Sequence, residues 1–288
     1  MATKTIDKEV VLHIGMSKAG SSALQQALVK NEGTLKKHGV IYPLTGREWG
    51  GAHYTIYNNL EHHNAANVLE DALEEGKDYS TIVFSCENFW FMSDEAIQNL
   101  ADSLKEYRVR VLLYLRPPHE YLPSSYRQGI KEMGRTHSIQ QYLNWINTTR
   151  RLDYPGIINT WSQSFSLTVK SYNTFKHNME EDFFQFLGFK DTSGLHTERQ
   201  IVNPTLNDTA IRLLLFANRT LPDNITSYLR SLLKSRPTLF SLLPDINNRP
   251  FLVHSDKVVQ SWDCEKLRCY LSVQEINVLT NANYRGQQ

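Results

Sequence analysis

An apolar, β-branched run at residues 10–14 (VVLHI) leads straight into GMSKAGSS at residues 15–22, and residues 23–37 then have helical composition. That order leaves little choice but strand, tight turn and helix. A short apolar run bounded by turn residues reads as a buried strand. Glycine supplies the backbone angles that a tight turn needs. Leu24, Leu28 and Leu35 are spaced along one face of the helix that follows. A turn of this kind exposes backbone N–H groups at a helix start, where the helix dipole also favours negative charge. The expectation is a cradle for phosphate or a similar oxyanion.

Strand and helix signals keep alternating. Residues 39–42 (GVIY), 81–85 (TIVFS), 109–115 (VRVLLYL) and 167–171 read as further strands. Residues 94–107, with Ser93 as a cap, and residues 120–131, 139–150, 180–187 and 206–220 read as helices. Such alternation predicts a parallel sheet with helices on both faces. After about residue 203 the strand signal fades. The expected fold class is α/β: a P-loop-type parallel sheet flanked by helices, with a mainly helical C-terminal extension. It forms one domain over residues 1–288, with its core at about 10–220 and the extension at about 221–288.

Charge and cysteine content narrow the function. Lys plus Arg total 31 and Asp plus Glu total 30, so no whole-chain field attracts nucleic acid or an anionic membrane, and an anion site must be local. Three cysteines (Cys86, Cys264 and Cys269) are too few and too odd in number for a disulfide framework. Cys264 and Cys269 lack the second pair of a zinc site, so no metal is expected. Residues 1–9 are polar, without the apolar core of a signal peptide. No stretch approaches the ~20 apolar residues of a membrane span. A cytoplasmic chain is the expectation.

Gly15 and Gly20 have the separation of a Walker A loop, but in that loop the lysine follows the second glycine. Here Ser21 follows it, and Lys18 lies two positions before it, which argues against an ATPase or GTPase. A second anion site is expected in residues 115–128 (LRPPHEYLPSSYRQ). Arg116, at the C-terminal end of a strand, points into the crevice where open α/β sheets bind ligands. Ser124 returns eight residues later on the following helix. Arginine grips phosphate bidentately and the serine hydroxyl adds a donor.

Lys18-Ala19-Gly20-Ser21-Ser22 after a strand, with Arg116 and Ser124 after a later one, resembles the sulfotransferases that use 3′-phosphoadenosine 5′-phosphosulfate (PAPS), in their bacterial-type branch. The resemblance extends through Asp153-Tyr154, Trp161, Phe165, residues 169–172, FFQFLG at 183–188 and NPTL at 203–206, covering roughly residues 11–219. It implies PAPS as donor, 3′-phosphoadenosine 5′-phosphate (PAP) as product and no metal. Lys18 would meet the bridging oxygen and 5′-phosphate, and Ser21 and Ser22 that phosphate, with Gly20, Ser17 and Ala19 in the same loop. Arg116 and Ser124 would hold the 3′-phosphate. Serines stand here for the usual threonines, Ala19 for a common hydroxyl residue, and Pro117 and Pro118 for polar residues.

Sulfuryl transfer is an in-line displacement that needs positioning and charge stabilisation. Lys18 would stabilise the leaving phosphate oxygen, and a base would take the acceptor proton. Glu87, in Ser85-Cys86-Glu87, resembles the Ser-x-Glu that some relatives use as base; His53, after Gly50-Gly51-Ala52, is the alternative. His13 reads as a core histidine, and His62 and His63 as solvated. Trp49, Trp90 and Tyr54 offer stacking surfaces to an acceptor, and Arg199 and Asn203 a closure over the donor's 3′ end. The acceptor class is a hydroxyl or amine of a small molecule, such as a secondary metabolite, or of a carbohydrate. The competing readings are a P-loop kinase or other nucleotide phosphotransferase and a non-catalytic nucleotide-binding protein.

Overall fold

In the computed structural model, residues 8–48, 50–62, 67–197, 206, 208–235, 246 and 248–280 are described. Strand β1 (Glu9–His13) sits in the middle of a parallel sheet. It pairs on one side with β3 (Thr81–Ser85), Val11 opposite Val83. On its other side it pairs with β4 (Arg108–Leu115), Val11 opposite Arg110. The edges are β2 (Val40–Ile41) and β5 (Ser166–Ser171), giving the order β2-β3-β1-β4-β5. Val10, Val11, Leu12, Ile82, Val83 and residues 111–115 are essentially without exposure. Helices cover both faces of a parallel sheet, so its inner strands are continuous apolar runs. This is the expected α/β arrangement, and all five strands point their C-terminal ends to one edge. The chain steps from β3 across β1 to β4, so the turn after β1 lies where the strand order reverses, the place where open α/β sheets bind ligands.

The helices are α1 (Ser21–Lys30), α2 (Glu32–Lys37), α3 (Tyr54–Glu61), α4 (Val68–Glu75), α5 (Asp94–Ser103), α6 (Pro118–Met133), α7 (Ile139–Asn147) and α8 (Tyr154–Ser164). They continue with α9 (Tyr172–Phe175), α10 (Met179–Phe186), α11 (Asp208–Thr220), α12 (Asp223–Ser235), α13 (Arg249–Gln260), α14 (Cys264–Arg268) and α15 (Val273–Thr280). Ser93 caps α5 as expected, accepting from the Ala96 N–H at 3.2 Å. The single helix expected over residues 23–37 is instead α1 and α2, broken at Asn31. The Asn31 amide donates to the carbonyls of Ala27 (2.8 Å) and His196 (3.0 Å), the local backbone bonding by which asparagine interrupts a helix. Helix α8 has no counterpart in the periodicity reading. It starts because Asp153 accepts from the Gly156 N–H at 3.0 Å and Pro155 occupies its first turn.

The chain groups into two compact units that interleave in sequence. The first takes the described parts of residues 1–116, 153–199 and 263–279 and contains the whole sheet. The second takes those of residues 117–152, 200–262 and 280–288, with α6, α7, α11, α12 and α13. Tyr121, Leu122 and Ile130 of α6 are fully buried, and the Tyr126 ring lies 5.3 Å from that of Tyr142 and 5.6 Å from that of Phe251. Arg127 donates to both carboxylate oxygens of Asp208, at 2.8 and 3.3 Å. The apolar face of α6 packs with α13, while residues 263–279 group with the sheet. Among the described residues no helix is long and apolar enough to cross a membrane.

Candidate functional site

The turn after β1 is built on unusual backbone angles. Gly15 has φ 55°, Gly20 has φ 82°, and Lys18, at 68°, is the one non-glycine residue with positive φ among those described. An L-residue holds this conformation only where its surroundings impose it. The Ala19 N–H donates to the Met16 carbonyl at 3.0 Å, closing the turn. From the end of β4, Arg116 Nη1 donates to the Lys18 carbonyl at 2.6 Å. Arg116 is itself held: its carbonyl accepts from the Tyr154 hydroxyl at 2.9 Å and its guanidinium lies over the Tyr172 ring at 5.3 Å. The structure therefore brings the strand-end arginine to the lysine turn, although the two are 98 residues apart.

Ser21 and Ser22 open α1. The Ser21 hydroxyl donates to the Met16 carbonyl at 3.3 Å, and Ser22 is exposed. Gly20, the N-cap, has no side chain to bind the first-turn amides, and that turn carries no acidic residue. Ser17 and Lys18 are half-buried. Ala19 is 1% exposed, so its methyl fills the underside of the turn. Ser124 lies half-buried on α6, in the second unit.

Glu87 follows β3, and the Cys86 N–H extends the β1–β3 pairing by donating to the His13 carbonyl at 3.2 Å. The two segments come so close here that a Cβ on Gly15 would lie 2.8 Å from Glu87 Cα. Both Glu87 carboxylate oxygens accept a hydrogen bond. The Tyr54 hydroxyl donates to Oε1, and Gln25 Nε2 donates to Oε2 at 3.2 Å. Burial first, and then the Glu87 charge, push the Tyr54 phenol well above the ordinary tyrosine range, so it stays protonated and donating. Tyr54 thus meets Glu87 through its hydroxyl. Gln25 is the residue that the sequence reading missed. It sits on α1 one turn beyond Ser21, and no local spacing links it to Glu87.

His53 has a different place from the one expected of a base. It is fully buried, its Nδ1 accepts from the Ser85 N–H at 3.2 Å, and its Nε2 donates to the Pro43 carbonyl at 3.1 Å. Burial pushes its pKa down to about 3. With both nitrogens bound to backbone, no lone pair remains for an acceptor proton. What His53 does is fasten the segment after β2 to β3, which fixes where Tyr54 begins α3. Arg47 fastens the same segment to α2 through Glu32 at 2.6 Å. His13 is buried against Tyr114 and Phe183, a core position as expected. Trp90 is also core, fully buried with its ring 5.6 Å from that of Tyr154, and presents no face to an acceptor. Trp49, His63, Arg199 and Asn203 lie outside the described residues.

No protein-family model and no curated protein sequence matches this chain. Among solved structures, it is similar to a sulfotransferase from Alicyclobacillus acidocaldarius, with 14% identity over 78% of this chain and 95% of that one and a TM-score of 0.46. It is also similar to a chain of the PezAT chromosomal toxin–antitoxin system of Streptococcus pneumoniae, with 14% identity over 79% of this chain and 89% of that one and a TM-score of 0.28.

Proposed function

We propose that the protein is a sulfotransferase that moves a sulfuryl group from PAPS to a hydroxyl or amine of a small-molecule or carbohydrate acceptor. The observation that carries this is the contact of Arg116 with the Lys18 carbonyl, because it puts the two sequence motifs for phosphate at one end of the sheet. The local chemistry fits a bisphosphate. Uncapped amides at the start of α1 and an arginine beside the turn are donors without an adjacent acidic side chain in that first turn. When bound, the donor would supply an activated sulfuryl group attached to its 5′-phosphate.

The chain's own residues then divide the work. The turn from Ser17 to Ser22 holds the 5′-phosphate, and Arg116 holds the 3′-phosphate. Lys18 stabilises the charge that develops on the leaving oxygen. Glu87 takes the acceptor's proton. A carboxylate has about four lone-pair sites, so accepting from Tyr54 and Gln25 leaves capacity for that proton.

The test is transfer of labelled sulfate from PAPS to a panel of small-molecule and saccharide acceptors, with Lys18→Ala and Arg116→Ala as controls. Transfer by the wild type and its loss in both variants supports the proposal. Magnesium-dependent ATP turnover in place of sulfate transfer would establish a nucleotide phosphotransferase instead. Tight PAP binding with no transfer to any acceptor would establish a non-catalytic nucleotide-binding protein.

A further inference from the structure

Gln25 is 2% exposed, yet its amide ends between two oxygens. Its Nε2 lies 3.2 Å from Glu87 Oε2 and 3.2 Å from Ser85 Oγ. Ser85, fully buried, lies 2.8 Å from His13 Nδ1. The hydrogens in this chain are constrained one by one. An ionised carboxylate only accepts, so Gln25 must turn its NH2 group towards Glu87. The second hydrogen of the same NH2 group then meets Ser85 Oγ, which accepts. Ser85 can then give its own hydrogen to a bare His13 Nδ1. In that arrangement the imidazole carries its proton on Nε2. Burial keeps this ring neutral, with its pKa pushed down to about 3.

We propose that Gln25 and Ser85 are positioning residues for the base: a hydrogen-bond chain of fixed direction, running from Glu87 through Gln25 and Ser85 to His13, holds the carboxylate with a lone pair open to the acceptor. The inference rests on Glu87 being the base. A glutamine alone would hold it poorly, because an amide turned by half a rotation would put its own oxygen against the carboxylate. With the Ser85 hydrogen committed to His13, a turned amide oxygen would face two oxygens, Glu87 Oε2 and Ser85 Oγ, with no hydrogen between them, so the Ser85–His13 bond holds the amide in its donating orientation. Tyr54 holds the other carboxylate oxygen from α3. The base is thus fixed from two helices while its own strand supplies the link to His13.

One competing arrangement uses the same heavy atoms. His13 Nδ1–H could donate to Ser85, with the Ser85 hydroxyl turned to Tyr42, whose hydroxyl interacts with Ser85. It requires the opposite histidine tautomer, so the two are separable. In the full chain labelled with ¹⁵N-histidine, the ring signals that disappear in His13→Gln report its tautomer. The expected result is a protonated Nε2 and a bare Nδ1; a protonated Nδ1 overturns the chain. The catalytic arm measures Gln25→Ala, Ser85→Ala and Ser85→Thr. Loss of positioning is expected to lower kcat for Gln25→Ala by ~10- to 100-fold, with PAP affinity and the KM for PAPS within about twofold of wild type. Ser85→Ala should fall in the same direction and Ser85→Thr, which keeps the hydroxyl, should recover most of the loss. An unchanged kcat in Gln25→Ala, beside an inactive Glu87→Gln, overturns the positioning role but leaves the base in place. Turnover retained by Glu87→Gln removes the base itself, and the positioning role with it.

Discussion

The Arg116 guanidinium donates to the Lys18 carbonyl across 2.6 Å, and so the end of β4 holds the backbone of the turn that follows β1. Lys18 is in the left-handed region, at a cost of roughly 1–2 kcal/mol for an L-residue. A hydrogen bond from a charged donor contributes about 1.5–3 kcal/mol, enough to offset it. Arg116 shapes the turn, and under the proposed function it would also grip a phosphate. Arg116→Ala removes both and is expected to weaken PAP binding by ~10- to 100-fold, the equivalent of about 1.5–3 kcal/mol. Lys18→Gly removes the side chain but suits the backbone, so it should bind PAP nearer to wild type while losing turnover. Calorimetric titration of both variants with PAP separates the tasks. Normal PAP binding by Arg116→Ala would remove this residue from the phosphate site.

Gly15 is where β1 and the segment after β3 come closest. A Cβ there would stand 2.8 Å from Glu87 Cα and 3.0 Å from Ser21 Oγ, on a backbone with φ 55°. Neither the backbone atom nor the strained angle can yield cheaply. Gly15→Ala is expected to lower stability by about 1–3 kcal/mol through strain and overpacking. It should also displace Glu87, so the variant that still folds should turn over more slowly. Urea unfolding gives the first quantity and steady-state kinetics the second. A variant as stable and as active as wild type would mean that the approach is looser than the geometry indicates.

Much of this was legible in the sequence, for physical reasons. Strand β3 coincides with the apolar run at residues 81–85 because a strand covered on both faces has no polar alternation to blur it. Arg116 was legible because the end of a strand is a fixed place in an open α/β sheet. Gln25 was not, since its partner Glu87 lies 62 residues away and only the folded sheet brings them together. His53 misled for a related reason. Glycines before it suggest an exposed loop, yet its backbone N–H pairs with the Ser85 carbonyl at 2.9 Å and draws the ring into the core. The interleaved units were hidden too, because the partner of α6 in its core is Phe251, over a hundred residues further on. Periodicity reports which face of a helix is apolar, and it is silent on what will cover that face.

Tyr54 donates to Glu87 Oε1, and burial together with the Glu87 charge keeps its phenol protonated far above neutral pH. Tyr54→Phe keeps the ring and deletes only that donor. Loss of one hydrogen bond to a charged group is expected to lower kcat about tenfold, while PAP binding stays unchanged. Because the phenol remains protonated, wild-type turnover should show no alkaline decline from Tyr54 below pH ~10. A Tyr54→Phe enzyme with normal kcat would show that the Glu87 orientation does not depend on α3.

Two of the buried histidines, His13 and His53, contribute to how stability responds to acid. Burial pushes both His13 and His53 down to about 3, while in the unfolded chain each titrates near 6.5. Below pH ~6.5 the unfolded chain therefore binds two protons that the folded chain refuses, and stability falls as pH falls, until the folded rings also titrate near 3. Between pH 7 and pH 5 each ring accounts for a loss of about 2 kcal/mol. Ordinary carboxylates titrate near pH ~4, so this window belongs largely to the histidines. Urea unfolding at pH 7 and at pH 5 should show the midpoint moving to lower urea. His53→Gln cannot titrate. It should be less stable at pH 7, having lost its bonds to Ser85 and Pro43, but its stability should fall by about 2 kcal/mol less between the two pH values. An equally steep loss in His53→Gln would mean that His53 is not the buried neutral ring that fastens the segment after β2 to β3.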